Sequence, residues 1–366
     1  MVTINRKEFL TGITLGGAMA GKAKTMPILE NVKCTLKGDK LVMSSYDTET
    51  AVTKRIQVVS NESSDMSFCV SPKELTSILR SVNDEVVKFN VESNQMTIMH
   101  KKGQLVVPTC SAEEYPSPKM NNTALGCDIP SEQLYNWIKE ASYFVGTDEI
   151  RAILCGVFLY MEQGEIGVAA NDGRRMYCNK GKCAYEGDLI SCVLTSKSVA
   201  SVLQLINGTE TTNVLIGDTN IVFKNEDSMV CSRIVEGRYP NYKSIIPQTH
   251  NSECEICKNE ILDSVKRAII ASDGSSNLVK LHINNICMDV SASDLTLGKK
   301  ANETCICSYS GEELTIGVQG MYLVECVNCI QSSNVIMQFI DATRPIVLKD
   351  TDCENKIVLV MPMRVE

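Results

Sequence analysis

"AILCGVFLYMEQGEIGVAAND", Ala152–Asp172, decides how the chain is read: a strand, a turn and a second strand that stops at Asp172. Two other segments have the same form, "PILENVKCTLKGDKLVMSSYD" ending at Asp47 and "NLVKLHINNICMDVSASD" ending at Asp294. The feature recurs about every 125 residues, beyond the usual solenoid period. Upstream of each copy, a strand end enters an amphipathic helix: Ile4 with Phe9 and Ile13, Ile129 with Leu134 and Ile138, Ile256 with Ile261 and Val265. Downstream comes a second helix, "SPKELTSILRSV", "TSKSVASVLQLI" or "GMYLVECVNCI", which sets Leu75, Val199 and Leu323 in equivalent places. Paired strands such as "NQMTIM", "TNIVFK" and "RPIVLK" close each unit.

The pattern therefore predicts an α+β chain of three tandem similar domains, residues 1–120, 121–248 and 249–366, each with two helices packed on antiparallel sheets. The joints fall in the polar runs "PSPKMNNTAL" and "PQTHNSE". With 366 residues, 44% hydrophobic and 22% charged, the chain has an ordinary globular composition. Its net charge of −8 disfavours nucleic acid on average but says nothing of a local basic face. Seventeen cysteines, an odd number scattered singly, read as reduced and mostly buried thiols of a cytosolic protein. The N-terminal "RKEFLTGITLGGAMAG" imitates a secretion signal, but Thr and Gly break it and the repeat claims it as a helix. No stretch approaches the roughly 18 apolar residues of a membrane span.

Several motifs invite chemistry. "GGAMAGKA" from Gly16 matches a phosphate-binding loop, yet Ala23 stands where the Mg²⁺-ligating hydroxyl belongs. Cys254 with Cys257 and Cys326 with Cys329 have zinc-ligand spacing, but each pair falls in an apolar periodic segment. The three histidines, His100, His250 and His282, sit in unrelated settings and offer no recurrent base for a nucleophile. The turn after Val168 admits three readings: a bare hairpin turn, a catalytic Asp172 helped by Arg174 and Arg175 on a phosphorylated substrate, or the rim of a binding surface. Asp47 and Asp294 at the same place in the other copies favour the turn. Lysines and arginines recur on the helices and can make a sequence-blind surface for phosphates. The apolar end "KIVLVMPMRVE" is either a last core strand or the side of a Met-lined peptide groove.

With "KTMPILENV", "NDGRRM", "VEGRYPNYKSIIP" and "VMPMRV" added to the threefold repeat, the chain resembles the bacterial DNA polymerase III beta subunit family, the replicative sliding clamps, over its whole length. The resemblance implies a head-to-tail homodimer closing a ring, helices inside and sheets outside, that slides on double-stranded DNA without reading sequence. It implies no catalytic residue, no cofactor, no metal and no membrane, with ATP-driven loading supplied by a clamp loader. Lys22, Lys24, Arg80, Lys139, Arg151 and Lys197 would lie on lining helices near duplex phosphates. Leu105 and Val107 would meet Ile269 and Ile270 across the dimer joint. A pocket for short peptides of the replicative polymerase, the loader and repair polymerases would comprise Leu154, Asn171, Gly173, Arg174, Arg175, Met176, Pro240, Ser244, Ile245, Leu359, Val360, Met361, Pro362, Met363, Arg364 and Val365. The family's Thr-Asp-Gly-His-Arg-Leu reads Asn-Asp-Gly-Arg-Arg-Met here, Ser244 replaces a common Arg, and Glu366 extends the usual end. Arg174 would favour acidic peptides and Glu366 would oppose them.

Overall fold

The computed structural model describes residues 1–23, 26–60, 65–118 and 124–365; Lys24 and Glu366 lie outside them. Among the described residues there are six α-helices, two per repeat: α1 (Arg6–Gly16), α2 (Pro72–Ser81), α3 (Ser131–Ser142), α4 (Ser196–Ile206), α5 (Lys258–Ala271) and α6 (Gly320–Asn328). None is long and apolar enough to cross a membrane. Each starts where a strand stops, and several starts are fixed by a side-chain cap. Asn5 Oδ1 accepts from the Lys7 and Glu8 N–H groups (2.9 and 3.3 Å), and Gln319 Oε1 accepts from Tyr322 N–H at 2.7 Å. Ser71 caps α2, followed by Pro72 at a first-turn position where proline has no N–H to lose.

The glycines of the phosphate-loop-like run serve packing instead. A Cβ at Gly16 would sit 2.8 Å from both the Cβ and the carbonyl oxygen of Met43, so the helix end lies directly on strand Lys40–Tyr46. The signal-like N-terminus is core, with Phe9 and Ile13 buried and the Phe9 ring stacked 5.6 Å from Phe89.

The chain divides into two compact units, Met1–Asn136 with Leu194–Ile234, and Trp137–Val193 with Val235–Glu366. These units do not follow the repeats, because each half of the middle repeat continues a neighbour's sheet. The first unit holds a 13-stranded sheet in which Ser228–Arg233 of the second repeat pairs antiparallel with Thr50–Gln57 of the first, Met229 opposite Thr53. The second unit holds a 12-stranded sheet in which Arg175–Lys182 pairs antiparallel with Cys353–Val360, Met176 opposite Leu359.

The three repeat-ending aspartates are structurally the same. Oδ1 of Asp47, Asp172 and Asp294 each accepts from the N–H groups two and three residues on: Glu49 and Thr50, Arg174 and Arg175, Thr296 and Leu297, at 2.6–3.1 Å. Each is an Asx turn that ends a strand and satisfies backbone donors.

Each unit also has a one-sided strand segment. As strands, residues 103–108 pair only with Gln95–His100, and residues 299–306 only with Cys287–Asp294, among the described residues. Val107 is 4% exposed and belongs to the first unit's core, with Leu105 packed against that core. The side chains expected at a dimer joint thus point inward here; the backbone edge and Val106, 49% exposed, are what this strand leaves free. On α5, Ile270 is 73% exposed, while Ile269 is only half-buried.

Candidate functional site

The site forms where the second repeat's turn meets the last strand of the chain, all within the second unit. Turn residues Asn171–Arg175 are held by Asp172 Oδ1 and by Gly173 N–H donating to Asn171 Oδ1 at 2.6 Å; Gly173 has φ +87°, which a side chain would strain. Cys353–Val360 is hydrogen-bonded on both sides, to Arg175–Cys178 and to Ile346–Asp350. The chain then continues past Arg174, whose carbonyl accepts from Met361 N–H at 2.8 Å, to Gly317, whose carbonyl accepts from Met363 N–H at 2.8 Å. A Cβ at Gly317 would lie 2.6 Å from Val365 Cγ2. The tail is therefore a core strand to Val360, then a docked extension.

Beneath this lies an apolar floor of Leu154, Met176 and Leu359, clustered with Ala169, Val193 and Val347. Tyr239 and Tyr242 of "VEGRYPNYKSIIP" pack on it; Tyr239 stacks on Phe158 at 4.6 Å and Tyr242 meets the same ring edge-on at 6.1 Å. Burial pushes up both phenol pKa values, so these rings stay neutral. Anchoring by these tyrosines leaves Pro240, Ser244 and Ile245 outward; Ser244 Oγ donates to Asn241 O at 2.7 Å, and Ile245 is 41% exposed, as open as the tail residue Met361 at 39%. Leu359 and Val360 are buried, Pro362, Met363 and Val365 half-buried, and Arg364 exposed.

A cavity of about 360 Å³ opens alongside, lined by Leu154, Asp172, Arg174, Arg175, Arg151 and Tyr322, with Val145–Asp148 completing the wall. Of its three arginines, the consecutive pair Arg174 and Arg175 differ sharply. Arg175 is 8% exposed, pairs with Asp172 (2.9 Å) and Glu325, and lies 4.3 Å over the Tyr322 ring, so its charge is spent inside the protein. Arg174 is exposed and makes no side-chain ion pair among the described residues. The Asp172 carboxylate accepts from two backbone N–H groups and from Arg175, which leaves it a turn former with no room for a general base's work.

Arg151 is not on an α-helix. It lies in the 3₁₀ segment Glu149–Leu154, pairs with Asp148 at 3.3 Å and rests against Gly173, as the third arginine of this cavity. The other basic residues are elsewhere. In the first unit, Lys22 sits in the turn after α1, Arg80 in the last turn of α2, and Lys197 in the first turn of α4, 3.6 Å from Glu49. Lys139 is in the last turn of α3, in the second unit. Sequence reading missed Tyr322: a helix-start aromatic carries no pattern that distinguishes it from core, and topology alone brings it to Arg175.

No three His, Cys, Asp or Glu side chains gather as a metal site among the described residues. Cys326 on α6 and Cys329 just past its end are buried, and burial raises both thiol pKa values, to about 12 for Cys329, the opposite of what a thiolate ligand needs.

The chain matches three family models in order: DNA polymerase III beta subunit N-terminal domain over residues 1–120, central domain over 128–241 and C-terminal domain over 243–364. It is 25% identical to the beta sliding clamp of Bacillus subtilis over 352 residues, 93% of each chain. The solved DNA polymerase III subunit beta of Pseudomonas aeruginosa superposes with a TM-score of 0.94 at 20% identity, covering 100% of both chains. That of Thermotoga maritima gives 0.92 at 21%, covering 100% of this chain and 99% of the other. With three consecutive domain models spanning nearly its full length, the chain belongs to the DNA polymerase III beta subunit family.

Proposed function

We propose that the protein is a DNA sliding clamp: a non-catalytic accessory subunit that encircles duplex DNA and tethers DNA polymerase III to it. The observation that carries this reading is the threefold repeat, matched end to end by the three beta subunit domains. In this reading the domains are residues 1–120, 121–248 and 249–366, and two chains close head to tail. Closure pairs the one-sided strand around Leu105 and Val107 with the one-sided strand 299–306 of the second copy, beside Ile269 and Ile270, hiding edges that otherwise aggregate. Lys22, Lys24, Arg80, Lys139 and Lys197 contact phosphates, and topology more than affinity holds the ring on DNA. Arg151 joins the peptide pocket instead, on the strength of its place beside Gly173.

The pocket takes short peptides of the replicative polymerase, the clamp loader and repair polymerases, with apolar anchors against Leu154, Met176 and Leu359 and a cationic rim at Arg151 and Arg174. The protein works in the cytoplasm. Light scattering at micromolar concentration tests ring closure: a mass of twice 40.3 kDa is expected, and a strict monomer would refute it.

A further inference from the structure

We propose that a second cavity in the same unit, of about 450 Å³, binds a small organic anion with an apolar body. Its floor is the sheet face that also carries Met176 and Leu359. Residues opposite one another in the register, Cys178, Ile357 and Lys349, form one row across three strands; Met176, Leu359 and Val347 form the next row, two residues along. Side chains two apart on a strand share a face, so the apolar floor is continuous from the peptide pocket into this cavity. The segment from Tyr242 to His250 crosses above it, with Tyr242 and Ile246 facing inward. Cys178 adds no charge to the floor: burial pushes its thiol up to about 12, against the opposing pull of Lys243 and Lys180.

The walls carry Lys180, Lys243 and Lys349, and no Asp or Glu lines the cavity. In a chain of net charge −8, three lysines around an apolar floor form an uncommon concentration of positive charge. Their nearest partners leave capacity for an anion. Lys180 shares Glu165 at 2.8 Å, Lys243 lies 5.3 Å over the Tyr160 ring, and Lys349 makes no ion pair among the described residues. Glu253, outside the lining, holds Gln338 at 2.7 Å and His250 at 3.6 Å, which fixes the far wall. The volume is that of a small-molecule site, with an apolar floor under mostly polar and cationic walls. The inference is independent of the clamp reading.

Fluorescence titration of the intact protein with 8-anilinonaphthalene-1-sulfonate tests it. One saturable site is expected, weakened about fivefold or more by Lys349→Glu and by Lys180→Glu, and unchanged by Arg174→Glu at the neighbouring pocket. The uncharged N-phenyl-1-naphthylamine is expected to bind less tightly by a similar factor. Absence of saturable binding would overturn the proposal, as would unchanged affinity in folded Lys349→Glu, equal binding of the uncharged probe, or loss on Arg174→Glu instead. Should Lys349→Glu not fold, Lys349→Gln gives the same reading with a smaller expected loss.

Discussion

Two seams join the middle repeat to its neighbours, and they are built from different chemistry. In the first unit, strand pairing across Cys231 and Ala51 is backed by buried hydroxyls: Ser198 Oγ lies 2.7 Å from Thr50 Oγ1, 2.6 Å from Ser232 Oγ and 2.7 Å from Thr195 Oγ1. In the second unit, strand pairing across Cys178 and Ile357 is backed by charge. Lys356, 3% exposed, reaches Glu140 at 3.4 Å, Asp350 at 3.3 Å and the Cys329 carbonyl at 2.9 Å, while Tyr177 donates to Glu140 at 2.7 Å. Hydroxyls satisfy one another without net charge, so this buried cluster is indifferent to pH and costs little to desolvate; the charge this seam carries, the Lys54–Asp227 pair at 2.6 Å, lies at its half-exposed end. Buried ions contribute little net stability, yet they punish any loss of a partner and fix one arrangement of α3 against the third repeat. The charged seam is the one beside the candidate pocket.

The largest expected effect follows from breaking that cluster. Lys356→Ala leaves the buried Asp350 and the half-buried Glu140 without their cation and should destabilise the second unit by about 3 kcal/mol in denaturant unfolding. A loss below about 1 kcal/mol would mean that the cluster is hydrated and that the contrast between seams is only apparent. Removing the hub of the neutral seam, Ser198→Ala, strands three hydroxyls that can partly re-pair and should cost about 1–2 kcal/mol.

Acid should also weaken the buried charged cluster, an effect the buried hydroxyl cluster would not feel. Burial alone would raise the Asp350 pKa, but hydrogen bonds from the Gln331 and Asp352 N–H groups and from Ser332, with the Lys356 charge, hold it below its ordinary 3.8. A depressed carboxylate stabilises fully above that ordinary value and loses its contribution as pH falls through the folded value. Unfolding of the second unit should therefore become easier below about pH 4, and Asp350→Asn should flatten that part of the profile; an unchanged profile would contradict the assignment.

Smallest is the expected effect of Arg174→Ala at the pocket rim. Exposed and unpaired, Arg174 should change stability by no more than about 0.5 kcal/mol. In fluorescence anisotropy, however, the substitution should weaken an acidic partner peptide about two- to fivefold. Equal loss for a neutral peptide would show that the side chain acts by packing.

The repeat was legible because it is written in local signals: the strand–turn–strand segments end at Asp47, Asp172 and Asp294, and all three make the same Asx turn. The pocket's apolar floor was legible through its motifs. The seams were not. Lys356 closes a polar stretch just before the apolar run from Ile357, where a buried cation has no signature, and its partners lie 216 and 6 residues away. The inward turn of Val107 depends on strand register, and Arg151 was displaced from its expected helix by a kinked 3₁₀ segment with φ −108° and ψ 56° at that residue. Sheet continuity across repeats is likewise a property of pairing partners that no single segment encodes.

The most direct test of the clamp reading is retention on DNA. The protein is loaded by a clamp loader and ATP onto nicked circular plasmid and filtered by size before and after a single double-strand cut. Co-elution with the circle and release from the cut, linear form are predicted; equal retention on both would contradict a ring held on DNA by topology.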